Sequence, residues 1–123
     1  MQKRFKNKVV LTGGKFNRLH PGHEYLLKKC KSLGYLIVVI ANDKHNTKPY
    51  AVPAATRKKN VEKLKIANRV VIGAPDNFAD VIYHFKPDII VLGYDQKLPD
   101  KETKKAVKTL GIEVVRCDQF GTY

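Results

Sequence analysis

Tryptophan is absent, methionine occurs once, and cysteine only twice, at Cys30 and Cys117. Two distant thiols cannot form the disulfide framework of a small secreted domain, so free cysteines are expected. No apolar run approaches the ~20 residues that span a bilayer. The run Val9-Val10-Leu11 behind a basic start is too short for a signal peptide, which leaves a cytoplasmic protein as the expectation. Negative charge is also scarce, with 11 Asp and Glu against 24 Lys and Arg, a net charge of +13. Such a surplus suits anionic partners, nucleic acid or polyphosphorylated small molecules, although much of it is solvated surface. There are no internal repeats and no low-complexity tracts. The 123 residues allow one domain with a real core.

What is present is alternation. Residues 8–12 (KVVLT) and 35–41 (YLIVVIA) are β-branched runs without polar interruption, as buried parallel strands require. Between them, residues 23–33 place Leu26, Leu27, Cys30 and Leu33 on one helical face, and Gly34 is a natural stop. After a polar loop, residues 54–66 form a basic helical pattern with Val61 and Leu64 inward. Strands at 68–72, 88–92 and 112–116 alternate with helices at 77–85 and 100–110, the last closed by Gly111. The pattern predicts an α/β, Rossmann-like, doubly wound five-stranded parallel sheet with helices on both faces. Ligands of such sheets bind beyond the carboxyl ends of the strands, where strand order reverses. Functional residues are therefore expected in residues 13–22, 42–53, 73–76 and 93–99.

The first of these loops carries the densest chemistry. In LTGGKFNRLHPGHEYLL, residues 11–27, Gly13 and Gly14 allow close backbone approach and Pro21 suits a first helical turn. His20 and His23 bracket that helix start, where free N–H groups and the dipole favour an anion. With Lys15 they make a pocket rich in donors and free of carboxylates until Glu24, as a phosphate site needs. A zinc site is disfavoured, because no further ligand stands at the proper spacing. A purely structural capping role for the two histidines is the simpler alternative.

GGKFNRLHPGH resembles the G-x-F-x-x-x-H-x-G-H signature of the cytidylyltransferase-like nucleotidyltransferases, with Gly14, Phe16, His20, Gly22 and His23 in register. The likeness continues through Asp43, Lys48-Pro49, Arg57 and DIIVLGYDQ, residues 88–96, and is most similar to the archaeal FAD synthases, which adenylylate FMN. The resemblance implies an Mg²⁺-assisted transfer of AMP from ATP to FMN, giving FAD and pyrophosphate. Glycerol 3-phosphate cytidylyltransfer from CTP is the alternative, and a non-catalytic nucleic-acid-binding module a remote one. It assigns His20 and His23 to the α-phosphate and the leaving pyrophosphate, and Lys48 and Arg57 to the triphosphate. Thr12, Gly13, Gly14, Lys15 and Phe16 would shape the nucleotide pocket. Asp95 and Gln96 would lie near base and ribose, and Asp43 could touch the cation. Tyr50 and Tyr94 are read as packing residues. Lys15 and Asn17 depart from the Thr and Asp of many relatives. The family's Ser/Thr-rich motif and terminal helix are missing after Tyr123, which reads as a shortened chain. A homodimer is the expected assembly.

Overall fold

The computed structural model describes residues 8–47 and 49–118. Five strands alternate with four helices: β1 (Val9–Gly14), α1 (Pro21–Lys31), β2 (Tyr35–Ile40), α2 (Ala54–Lys63), β3 (Arg69–Ile72), α3 (Ala79–Phe85), β4 (Ile89–Leu92), α4 (Lys101–Leu110) and β5 (Glu113–Arg116). All pairings are parallel, in the order β3-β2-β1-β4-β5. The chain runs outward from β1 to β3, then returns to the other side of β1, so strand order reverses between β1 and β4. The predicted fold class and element order are those observed.

Alternate residues of the central strands feed two cores. Val10, Leu36, Val38, Ile40 and Val91 meet Leu26, Leu27 and Cys30 of α1 and Val61 of α2. Leu11, Ile37, Val39 and Ile90 meet Ala79 and Ile82 of α3 and Ala106 of α4. Both faces of the sheet are thus covered, which is why its strands read as unbroken apolar runs. Gly34 closes the α1–β2 turn at φ 156°, where an added Cβ would stand 2.4 Å from the Lys8 carbonyl oxygen, so no larger residue fits.

Element ends differ from the sequence pattern in four instructive places. β1 runs on through both glycines, and α1 begins at Pro21, two residues before the expected start. α2 ends at Lys63 because Lys65 turns left-handed at φ 55°, although Leu64 and Ile66 still pack on the core. Leu33 likewise lies beyond α1 while touching the same core. Among the described residues, no helix is long and apolar enough to cross a membrane. Cys30 and Cys117 are both free and buried, and burial pushes the Cys30 thiol up to about 12.

Candidate functional site

The site starts from the mouth of α1. His20 is its N-cap, with extended backbone (φ −148°, ψ 171°), and its Nδ1 accepts a hydrogen bond from the Gly22 N–H at 3.0 Å. His23 answers in the opposite direction, its Nδ1 accepting the His20 N–H at 3.3 Å, and the two rings lie 3.9 Å apart. This is a capping box built from imidazoles in place of a hydroxyl and a carboxylate. Because each Nδ1 accepts, each neutral ring carries its proton on Nε2, which leaves two N–H donors for a ligand. Burial, and then the neighbouring His20, pulls the His23 pKa down to about 4. His23 is therefore a neutral donor at physiological pH. The capping reading uses Nδ1 of each ring, and Nε2 is the nitrogen that a functional role would call on.

A buried scaffold holds the loop leading to α1. Phe16 adopts a left-handed backbone at φ 53°, which costs a non-glycine residue on the order of 1 kcal/mol. Its ring lies 5.1 Å from that of His23 and fills the space beside Gly14, where an added Cβ would come within 3.0 Å of it. Arg57, on α2, is fully buried. It donates from Nε to the Val52 carbonyl (2.6 Å), from Nη1 to the Lys15 carbonyl (2.8 Å) and from Nη2 to Asp43 Oδ1 (2.9 Å). The same Asp43 oxygen accepts the Ala54 N–H at 2.8 Å. Asn17 and Asn46 exchange two side-chain amide bonds of 2.9 and 2.7 Å, and Asn17 also accepts from the Val52 N–H. The loops after β1 and β2 are thereby sewn together.

Two cavities open at the carboxyl ends of the strands. The first, about 570 Å³, is lined by His20, His23, Tyr25, Asp95 and Asp118 among others. The second, about 430 Å³, is walled mainly by Gly13, Gly14, Ala41, Ala74, Phe78 and Leu98. Gln96 borders both. Its Nε2 donates to the Gly13 carbonyl at 3.1 Å while its Oε1 accepts the Gly93 N–H at 2.6 Å, so the side chain bridges β1 and β4 at the reversal point. Arg116 braces the same loop, its Nη1 donating to the carbonyls of Gly93, Tyr94 and Gln96. In the first cavity the Tyr25 hydroxyl donates to both Asp118 oxygens, at 2.9 and 2.8 Å. That bond holds the Asp118 carboxyl below its ordinary value.

The sequence-predicted residues divide accordingly. His20, His23, Asp95 and Gln96 come together around the first cavity, whereas Gly13 and Gly14 line the second. Thr12 reaches neither: it is fully buried and donates its hydroxyl to the Val91 carbonyl across β1 and β4, at 2.8 Å. Phe16 is enclosed behind His23, and the Lys15 side chain is exposed while its carbonyl is held by Arg57. The expectation that Arg57 grips a triphosphate is corrected, because a guanidinium with no exposed surface and three internal partners faces the loop backbone. The stretch free of carboxylates until Glu24 is joined in the fold by Asp95, as expected near the site, and by Asp118, which the sequence reading did not include. Tyr50 and Tyr94 are exposed rather than packed, at 66% and 50%. Lys48 lies outside the described residues. Among the described residues no group of three or more His, Cys, Asp or Glu could hold a metal ion, and Asp43 Oδ1 already has two partners. The described residues do not form a protein-held cation site.

Phe78, Arg116, Tyr25 and the Asn17–Asn46 clasp escaped the sequence reading. One signal was available for Arg57: Ala54, Arg57 and Val61 fall at i, i+3 and i+7, the inward face of α2.

A family model described as cytidylyltransferase-like matches residues 11–120. A FAD synthase of Picrophilus torridus is 38% identical over 90% of this chain and 84% of its own length. The FAD synthase of Methanosarcina mazei is 39% identical over 87% of this chain and 74% of its own. Among solved structures, a protein of Thermoplasma volcanium described as a lipopolysaccharide core biosynthesis protein is 34% identical. It superposes with a TM-score of 0.80, covering 92% of this chain and 98% of that one. A pantothenate synthetase of Thermus thermophilus, 14% identical with a TM-score of 0.62, shares the fold.

Proposed function

Because the chain belongs to the cytidylyltransferase-like family and is a nucleotidyltransferase, we propose that it transfers AMP from ATP to FMN, giving FAD and pyrophosphate. The observation that carries this reading is 37–39% identity to archaeal FAD synthases over about nine-tenths of the chain. The paired cavities support it. Imidazole donors at a helix start suit the phosphates of ATP, and the Asp95 carboxylate suits its ribose or amino group. The apolar cavity, with the Phe78 ring against Gly13, suits a flat heteroaromatic acceptor.

A phosphate oxygen of FMN attacks the α-phosphorus in line, the bond to the bridging oxygen breaks, and pyrophosphate leaves with that electron pair. No covalent enzyme intermediate is required. Charge growing on the α-phosphate and the leaving group meets the Nε2–H groups of His20 and His23, oriented beforehand by their Nδ1 bonds, so little reorganisation is needed. A divalent cation, Mg²⁺ by default, would be carried by the phosphates of ATP rather than by a protein cage. Two free thiols fit a cytoplasmic setting.

The test is a matrix of nucleoside triphosphates against phosphorylated acceptors, reading pyrophosphate and the chromatographed product. ATP with FMN should give FAD. Turnover of CTP with glycerol 3-phosphate, and none with ATP and FMN, would overturn the substrate assignment.

A further inference from the structure

The residue the mechanism leaves unused is the most enclosed charge among the described residues. Arg57 has no exposed surface, yet it spends its three kinds of nitrogen on three separate pieces of backbone and loop. One of them, the Lys15 carbonyl, immediately precedes Phe16, whose left-handed backbone needs an outside constraint to persist. The Phe16 ring in turn lies against His23, and His23 against His20. A continuous line of contacts therefore runs from the middle of α2 to the donors at the mouth of α1.

We infer that Arg57 is a positioning residue for His23: it clamps the Lys15 carbonyl, holds Phe16 in its strained conformation, and so fixes the imidazole against which Phe16 packs. A lysine could replace the charge but not this geometry, because one ammonium cannot reach three acceptors in a fixed planar fork. Asp43 completes the clamp by accepting from both Arg57 and the first N–H of α2, which locks the guanidinium to the helix that carries it. In this role Arg57 never touches substrate. Its loss misplaces a donor, which is a cost in turnover and not in ground-state binding.

The inference rests on the nucleotidyl-transfer reading only for its kinetic arm. Its second arm is the titration of the His23 ring followed by NMR in the unliganded protein, which needs no substrate. In Arg57→Lys, kcat should fall on the order of 10- to 100-fold with the KM for ATP nearly unchanged. The His23 pKa should rise from about 4 toward the ordinary imidazole value as the ring loses its cover. Phe16→Gly provides the independent check, since glycine accepts the left-handed backbone without strain and removes only the ring. It should reproduce both the kcat loss and the rise in His23 pKa, and it decides the matter if Arg57→Lys does not fold. A rise in the KM for ATP with an unmoved His23 titration would make Arg57 a phosphate ligand and overturn the inference. Unchanged kcat and titration in Phe16→Gly would overturn it as well. Failure of every substrate pair, with the titration shifts still present, would count against the proposed reaction alone.

Discussion

Helices α1 and α4 begin in the same way and serve different ends. Each has an extended N-cap residue whose side chain accepts a backbone N–H of the first turn: Nδ1 of His20 from Gly22 at 3.0 Å, and Oδ1 of Asp100 from Thr103 at 2.8 Å. Asp100 is the better choice for stability, because a carboxylate ranks among the best caps and neutralises the helix dipole. At α1 the same carboxylate would occupy the field that an anionic ligand needs. Imidazole satisfies the orphan N–H through a neutral lone pair, leaves the dipole uncompensated, and still offers a proton on its far side. The two caps differ in chemistry: a carboxylate compensates the dipole of α4, whereas the imidazole cap of α1 leaves its dipole open to the phosphate proposed for it.

The largest expected effect comes from exchanging the caps. His20→Asp keeps the capping bond, so thermal stability should stay near that of the parent, while turnover drops on the order of 10³-fold or more, since a donor is lost and a like charge gained. Steady-state kinetics beside a melting curve reads both. Near-normal turnover would mean that the imidazole is only a cap.

Next is His23→Ala, which should lower turnover on the order of 10²- to 10³-fold with a much smaller change in nucleotide affinity. It also bears on acid stability. His23 is held below the ordinary imidazole value in the fold, so the unfolded chain binds a proton first on acidification. Stability contributed by this residue therefore falls as pH drops from about 6.5 to about 4 and levels off below that. Denaturant titrations of parent and His23→Ala across this range should show a shallower acid decline in the variant. Parallel curves would place the acid sensitivity elsewhere.

At α4 the effects should be structural. Asp100→Ala should cost about 1 kcal/mol of stability, with a loss of turnover far below that of His20→Asp. Smallest of all, Thr103→Val removes a fully buried hydroxyl that has no partner among the described residues. It should leave stability unchanged or raise it by up to about 1 kcal/mol. A marked loss would reveal a bond to that hydroxyl.

Much of this comparison could be read from the chain itself. Apolar β-branched runs separated by helical periodicity define a parallel sheet, and the rule of strand ends then points to the loop holding both histidines. Local spacing cannot report contacts between distant segments. Arg57 reads like its neighbours Lys58 and Lys59 until its partners at Lys15 and Asp43 are known. Asp95 and Asp118 become one cavity's wall only when β4 and β5 lie side by side. Tyr50 and Tyr94 could stack on a ring or pack, and the sequence favours packing, yet both side chains are exposed. Gln96 was placed near the ligand by resemblance, and its role as the partition between two cavities depends on Gly13 being its neighbour across the sheet.

That partition has a consequence for how the molecule comes into being. The β1–β2 pairing, which begins with Val9 opposite Tyr35, forms between near neighbours in the chain, and the apolar strip between α1 and the sheet can assemble as soon as β2 has been synthesised. The junction of β1 with β4 joins groups 79 residues apart, through the Val9 N–H to Asp88 and the Thr12 hydroxyl to Val91. Long-range closure of this kind comes at a cost in chain entropy that local pairings do not bear, and it slows folding. Both cavities are bordered by Gln96, which spans that junction, so neither is complete until it has formed. The histidine cavity needs one closure more, since Cys117 and Asp118 join its wall only after β5 has paired with β4.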